Sequence, residues 1–506
     1  MQKGKETESV YRTLNQDLWE KIYQNVNYNG LDYPHEPLVR FVSLMPPKSK
    51  DKKALEIGFG SGVNAIMMAE KGYYVEGLEV SPSIIDKAKK RFNERTAKSI
   101  NLSLWPNCPK IDFDNDYFDL VASHQAIYYN IALESVLHEI KRVMKPGGRF
   151  FLSFFSPNDI KMTFGVPVTE DIIEWGESSP FEGLIGMRAR YFKDKEKLSN
   201  VFSPIFDDFR IDTHGSNILD QPYEIWIVSG SKGMDSDSNG KALNVSKKSS
   251  RELISLQYEN YISTNKKVSE SPFDEIYRGL YDGLEYPNEP VVRYASIIPK
   301  KENKIRALEI GFGLGANSVM MAERGYHVIG LDQSPSIVEI ANKRLEGMNN
   351  DNVRFDVWSS YPKLDFQENT FDLVVSYDAI YYLFELEGVL SEIKKVLSVN
   401  GRFFISFFTP NDEKMKFGVK SLEEEVEWDS STPFKGLVGK KARYFKDKEA
   451  LAKIFSNTFD NFRIDNFKSE FLAQVYDLWI VTGSKSNDVG LSDSAAWTSH
   501  TAKSLK

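Results

Sequence analysis

The amino-acid sequence predicts an α/β protein made of two copies of one doubly wound, mostly parallel sheet, each with an antiparallel edge strand. Three observations carry that prediction. The chain of 506 residues repeats itself at an offset of 253: LDYPHEPLVRF at Leu31 returns as LEYPNEPVVRY at Leu284, and RYFKDKE at Arg190 returns unchanged at Arg443. Within each copy, short apolar runs alternate with segments of helical spacing, the pattern of parallel strands joined by crossover helices. The first apolar run of each copy ends in a glycine-rich turn, ALEIGFGSG at Ala54 and ALEIGFGLG at Ala307.

Taken in order, KALEI (53–57) reads as a buried strand, 62–71 as a helix and YYVEGLEV (73–80) as the next strand. Ser81 is placed to N-cap a helix opened by Pro82. FDLVAS (118–123) is a strand, ESVLHEIKRVM (134–144) an amphipathic helix stopped by Lys145-Pro146-Gly147-Gly148, and RFFLSFF (149–155) an apolar strand. FRIDTHG and YEIWIVSG near the end of the copy read as an antiparallel pair joined by a hairpin-like turn. The second copy repeats this order.

The repeat is the size of a domain, so it is a tandem duplication and not a solenoid. The boundaries are 1–232 for the first domain, 233–270 for a linker and lead-in helix, 271–485 for the second domain and 486–506 for a flexible tail. The linker stretch GSKGMDSDSNGKALNVSKKSS is too polar to bury a core. Trp497 is the tail's one large apolar residue and reads as unpacked.

Composition excludes several classes. Hydrophobic residues make up 41% and charged residues 27%, which is globular, and the net charge of −8 argues against a dominant nucleic-acid role. The single cysteine, Cys108, rules out an intramolecular disulfide and a cysteine-based zinc site. The start has no apolar stretch of a signal peptide and no run is long enough to span a bilayer, so a cytoplasmic protein is expected.

The glycine turn is the chemically informative motif. Glu56-Ile57-Gly58-Phe59-Gly60-Ser61-Gly62 and its twin Glu309 to Gly315 stand between strand and helix, where backbone can approach a ligand and helix N–H groups face an anion. The spacing is G-x-G-x-G and not the dinucleotide G-x-G-x-x-G. Glu56 and Glu309, two residues before the first glycine, would repel a pyrophosphate and welcome an ammonium group. A second acid, Glu79 or Asp332, ends the following strand, where it can accept hydrogen bonds from a ribose. A ligand with carboxylate, amine and nucleoside parts satisfies all three features, and S-adenosylmethionine is such a molecule. Arg40 and Arg293, ahead of the first strands, could clamp its carboxylate, or sit in surface ion pairs. Tyr28, Tyr33, Tyr281 and Tyr286 could close over it.

On these residues the chain resembles the class I S-adenosylmethionine-dependent methyltransferases over about residues 28–232 and 281–485. FDLV at 118–121 and 371–374 and HEIKRVMKPGGRFFLSF at 138–154 add to the likeness. The resemblance implies a Rossmann-like fold, a glycine loop (Gly58, Gly60, Gly62; Gly311, Gly313, Gly315) around the methionine part, and Glu79 and Asp332 on the ribose. It also implies an adenine-binding acid after the third strand. Here Asn107 and Ser360 stand in that place, beside Trp105 and Trp358, which read as packing residues.

Methyl transfer needs positioning, and a base if the nucleophile is protonated. Candidates follow the fourth strand, in Ser123-His124-Gln125-Ala126-Ile127-Tyr128-Tyr129 and Ser376-Tyr377-Asp378-Ala379-Ile380-Tyr381-Tyr382. His124 and Asp378 are the expected bases, with loop or capping roles as the alternative. Ser123 and Ser376 are expected at the cofactor, the tyrosines at the pocket wall, and His138 on the surface. The segment 156–192, with Trp175, Phe181, Arg188, Arg190 and Tyr191, is long enough to be a substrate lid, and its arginines suggest an anionic or polyhydroxylated substrate. The expected reaction is methylation of an O or N atom of a small molecule or glycan. Competing readings are one catalytic and one scaffolding copy, paired as an intrachain pseudo-dimer, a cofactor sensor without turnover, or a nicotinamide oxidoreductase.

Overall fold

A computed structural model describes residues 15–24, 33–43, 51–92, 98–233, 286–298, 305–346, 351–383, 385–420, 424–434, 437–472 and 474–485. Tyr28, Tyr281, most of the 233–270 linker and the 486–506 tail with Trp497 lie outside them.

The first half runs α1 (15–24), α2 (Glu36–Ser43), β1 (Lys53–Ile57), α3 (Val63–Glu70), β2 (Tyr74–Glu79), α4 (Pro82–Lys89), β3 (Ile100–Leu104), β4 (Phe118–Ser123), α5 (Leu133–Val143) and β5 (Met144–Phe155). It continues through β6 (Gly165–Thr169), β7 (Ile172–Trp175), β8 (Arg188–Arg190), α6 (Lys195–Phe202), β9 (Asp208–Ser216) and β10 (Tyr223–Ser231). The second half repeats it as α7 (Glu289–Ile297), β11 (Ile305–Ile310), α8 (Ala316–Glu323), β12 (Tyr326–Asp332), α9 (Pro335–Glu346), β13 (Val353–Val357), β14 (Phe371–Ser376), α10 (Leu386–Val396) and β15 (Leu397–Phe408). Then come β16 (Val419–Lys420), β17 (Glu425–Glu427), β18 (Lys441–Arg443), α11 (Lys448–Ser456), β19 (Asn461–Phe471) and β20 (Gln474–Ser484).

The strands of β1–β5 are parallel and β10 adds antiparallel to β5, with Ile225 opposite Phe155. Apolar residues such as Leu55, Val121 and Leu152 are wholly buried on these central strands, as continuous apolar runs in a two-sided sheet require. β10 lies between β5 and β9, so β9 would be the edge. It is not an edge: β9 pairs antiparallel with β19, His214 facing Ser469 and Ser216 facing Phe467. The two predicted sheets are therefore one sheet of 14 strands, in the order β13-β12-β11-β14-β15-β20-β19-β9-β10-β5-β4-β1-β2-β3. An exposed edge is a pairing template, and each half satisfies the other's.

The junction is clasped reciprocally. The turn Ile218-Leu219 of the first half belongs to the second half's hydrophobic core, and its twin Phe471-Leu472 belongs to the first. Leu219 and Leu472 hold left-handed backbone (φ 58 and 54), an unfavourable conformation for leucine. Each is fixed by a buried acid from the other half, Leu219 N–H donating to Asp465 and Leu472 N–H to Asp212, at 2.9 and 3.0 Å. The hairpin-like turn of the sequence is thus an exchanged tip.

Two further expectations change. Ser81 precedes α4 but makes no side-chain cap; its hydroxyl donates to Glu20 of α1 instead. The 156–192 segment is not a bare lid but a three-stranded sheet, β6-β7-β8, seated on wholly buried Trp175.

Candidate functional site

The ends of β1, β2 and β4 converge, as expected where helices leave a parallel sheet. Gly58, Gly60 and Gly62 all have positive φ (71, 50 and 78). A Cβ on Gly58 would stand 2.2 Å from Ala126 Cβ, so this turn fits only glycine. Gly60 N–H donates to Glu79 Oε2 at 3.1 Å, and Val80 N–H to Glu79 Oε1 at 2.7 Å, which fixes the strand-end acid against the loop. In the second half Gly313 N–H reaches Asp332 at 3.4 Å.

Glu56 is buried at the root of the loop. Its Oε1 accepts from Asn64 at 3.0 Å, while Oε2 is buried without a hydrogen-bond partner within normal geometry among the described residues. Burial, reinforced by the nearby Glu79 charge and opposed by Asn64, pushes its pKa up to about 8. An unsatisfied buried acceptor of this kind fits the ammonium end of S-adenosylmethionine. Glu309 is better provided, with Asn317 at 3.0 Å and Ser318 Oγ at 2.5 Å, and burial pushes it only to about 7. Ser318 stands where the first half has Ala65, so the twin sites are not chemically equal.

Beyond the loop opens a cavity of about 960 Å³, a size that accommodates a cofactor and a small acceptor. Its walls include Gly58 to Ser61, Glu79, Trp105, His124 to Ile127, Tyr129 to Ala132, Asp159, Lys161 and Tyr223, and on one side Val292 to Ile298 of the second half. α1 closes it. Asn15 bonds Tyr129 O and Arg188 O, both at 2.9 Å, Gln16 bonds Val80 O, and Trp19 stacks on Tyr23 while meeting Tyr129 edge-on. The helix is legible in the spacing of Asn15, Leu18, Trp19, Ile22 and Tyr23, a signal missed by starting the domain's architecture at its first strand.

After β4 the backbone turns left-handed at Gln125 (φ 50), as it does at Asp378 (φ 54) after β14. A serine hydroxyl holds each turn: Gln125 N–H donates to Ser153, and Asp378 N–H to Ser406, both at 2.8 Å. Ser153 Oγ is also 3.0 Å from His124 Nδ1. That oxygen accepts from Gln125 and keeps both a hydrogen and a second lone pair, so either tautomer of His124 satisfies the contact at Nδ1. Burial, then the neighbouring His35, depresses the His124 pKa well below the ordinary value. His124 therefore meets the cavity as a neutral imidazole, its Nε2 buried and without a hydrogen-bond partner among the described residues.

The two halves differ most at the next position. In the first, Gln125 Nε2 donates to Tyr223 Oη at 2.9 Å. In the second, Tyr476 Oη donates to Asp378 Oδ2 at 3.2 Å, and buried Lys414 donates to Tyr476 at 3.2 Å with its ammonium 3.8 Å from Asp378. The first-half twin, Lys161, has no carboxylate within ion-pair distance among the described residues; its ammonium lies 4.9 Å over the Phe155 ring at the cavity wall. Burial lowers its pKa, Asp159 opposing and Arg293 assisting. Lys161 was not singled out from the sequence, although NDIKM and NDEKM recur in the two copies.

Other predicted residues stand elsewhere. Ser123 and Ser376 spend their hydroxyls on Ile57 O and Ile310 O at 2.9 and 3.0 Å, tying β4 to β1 and β14 to β11. Asn107 is exposed and bonds Asp112, and Ser360 bonds Lys363 O; neither lines this cavity, which takes Trp105, Cys108 and Pro109 from the first loop. Arg40 and Arg293 do not clamp their own glycine loops. Each pairs with the glutamate one turn earlier and lies over a tyrosine of the other half, Arg40 at 4.6 Å from Tyr476 and Arg293 at 3.6 Å from Tyr223. Tyr33 and Tyr286 likewise reach across, to Glu323 and Glu70. Arg188 and Arg190 are held by Glu174 and by Glu134 with Asp171.

Comparison with known proteins returns methyltransferases. The family described as "Methyltransferase domain" matches residues 55–152 and again 308–405. Phosphoethanolamine N-methyltransferase 1 of Triticum aestivum is 21% identical over 446 residues, covering 80% of this chain and 78% of the relative. The Plasmodium falciparum phosphoethanolamine N-methyltransferase is 29% identical over 201 residues, covering 37% and 72%. Among solved structures, Haemonchus contortus phosphoethanolamine N-methyltransferase 2 bound to S-adenosyl-L-methionine is 15% identical, with a TM-score of 0.33, covering 90% of this chain and 100% of that one. No helix among the described residues is long and apolar enough to cross a membrane. Two glycine loops with buried acids at their roots, each inside a separately matched domain, place the chain among the S-adenosylmethionine-dependent methyltransferases, with the domain in tandem duplicate.

Proposed function

We propose that the first half methylates the nitrogen of a small amine that carries an anionic group such as a phosphate. One observation carries this reading: the Lys161 ammonium borders the cavity without a carboxylate partner, whereas Asp378 and Tyr476 engage its twin Lys414. A half-buried cation lacking a counter-ion among the described residues favours an anionic ligand. His124 Nε2, without a partner among the described residues, adds a polar atom on the same wall, and Arg293 adds a second cation from the other half. The phosphoethanolamine N-methyltransferases similar to this chain act, by their names, on such an amine.

The cofactor supplies an activated methyl group. The chain's part is to seat its ammonium at Glu56 and its ribose at Glu79, to close the site with α1, and to hold the acceptor by its anionic end. The amine must reach the methyl carbon uncharged, and neutral His124 adds no positive charge to discourage that. Asp378 places an extra carboxylate in the second half's corresponding turn, so that half is suited to a less anionic acceptor or to a supporting role.

Methyl transfer from labelled S-adenosylmethionine to phosphoethanolamine, with ethanolamine as control, tests this. Lys161→Met is expected to raise KM for the phosphorylated amine by about 10- to 100-fold, the range for losing a charge-assisted contact. Cofactor affinity should stay as it was. Equal turnover of both amines by the native protein would refute the reading.

A further inference from the structure

Three of the six histidines, His35, His124 and His214, converge behind the floor of the first cavity. His35 and His214 are buried, and Glu289 of the second half, 12% exposed, lies between them. Its Oε2 is 3.2 Å from His35 Nε2 and 3.1 Å from His214 Nε2. The three atoms all lie within 4.8 Å of one another. Ligand atoms about 2.1 Å from a tetrahedral or octahedral ion are separated by roughly 2.9–3.4 Å, and both Glu289–histidine distances fall in that range.

The supporting contacts fit at His214 and Glu289, while His35 Nδ1 is buried without a partner among the described residues. His214 Nδ1 is 2.9 Å from Ser469 Oγ, which leaves Nε2 turned to the cluster. Arg293 takes the opposite oxygen of Glu289, Oε1, at 2.9 and 2.6 Å, and leaves Oε2 to the histidines. Such outer partners orient metal ligands.

The internal repeat supplies a control. Across the junction the corresponding residues are Asn288, Phe467 and Glu36. There Glu36 accepts from Arg40 and from Glu289 N–H, and Phe467 is buried. The same junction is therefore built once without histidine. The two extra imidazoles in the first half are not needed to close the interface, and a ligand set is what they add.

We propose that His35, His214 and Glu289 form a site for a divalent transition metal of borderline softness, zinc being the best match, that pins the two halves together. Two imidazoles and a carboxylate are the donors that Zn²⁺ takes. Tyr223 Oη, 3.4 Å from His35 Nε2, and Arg293, on Glu289, connect the cluster to the cavity floor. The ion would hold those two side chains in place and take no part in methyl transfer.

The test uses untagged full-length protein. Metal content is measured after purification without chelator, and Zn²⁺ is titrated against a chromogenic chelator while the melting temperature is followed. Variants His35→Asn and His214→Phe carry the residues of the other copy, so they suit the junction. The expected result is one zinc per native chain, a melting temperature lowered by chelator, and loss of both effects in each variant with S-adenosylmethionine binding retained. Native protein without stoichiometric metal and without a thermal response to Zn²⁺ overturns the proposal, leaving a hydrogen-bonded triad. Metal retained by both variants overturns it too.

Discussion

Gly58→Val is expected to abolish S-adenosylmethionine binding in the first half while leaving the second intact. The added Cβ alone would meet Ala126 Cβ at 2.2 Å, and valine is poorly suited to φ 71. Neither the loop nor the turn after β4 can give way without moving Gln125 and His124. Gly311→Val makes the reciprocal lesion, at 2.1 Å from Ala379 Cβ. Calorimetric titration should show two sites in the native protein and one in each variant, the lost site weakened by at least about 100-fold, which corresponds to roughly 2.7 kcal/mol. A native protein with a single site would instead identify the scaffolding half.

The second large effect is expected from Glu56→Gln, and it has two opposite parts. If Glu56 seats the cofactor's ammonium as proposed, removing its charge should weaken binding in the first half by about 10- to 100-fold, the range for a charged hydrogen bond. Free of ligand, the variant should be more stable than the native protein at pH 8. Native Glu56 has a pKa of about 8 against an ordinary value of 4.5. Between those values the folded state keeps a proton that the unfolded chain has released. Stability therefore falls as pH rises through this window, and the loss is complete above it. The cost at pH 8 is on the order of a few kcal/mol. Melting temperatures from pH 5 to 8 should decline less steeply in Glu56→Gln; the remaining slope has contributions from Glu309 and Asp412, both pushed to about 7 by burial. An unchanged slope would show that Glu56 is ionised in the free protein.

Much of each half was legible because its signals are local. β1, β2, β4, α5 and β5 are short apolar or amphipathic segments bounded by glycine or proline, and the structure places them within a few residues of the expected bounds. The glycine loop and its acids were legible for the same reason, since strand, turn and helix follow one another along the chain. What escaped depends on distant residues. Nothing near Arg293 says that Tyr223 will receive it, and nothing near Ser81 says that Glu20 will take its hydroxyl. Ser123 looked like a ligand contact because polar residues at strand ends often are. Its hydroxyl goes to Ile57 O, a carbonyl of the neighbouring strand. The meaning of Lys161 depends on a difference between copies, Gln125 against Asp378, which matters only once Tyr223 and Tyr476 are known to stand beside them.

The exchanged tips and the β9–β19 pairing are related by the same offset as the sequence repeat: each contact recurs with the halves exchanged, His214 facing Ser469 as Phe467 faces Ser216. A self-complementary surface of this kind is what a homodimer presents. Carried on one polypeptide, the assembly no longer comes apart on dilution, and its halves are always supplied in equal number. The larger consequence is evolutionary. In a homodimer every substitution appears twice, so two active sites cannot drift apart. Fusion removes that restriction, and the chain has used the freedom where it matters: Gln125 opposite Asp378, Ala65 opposite Ser318, and histidines opposite Asn288 and Phe467.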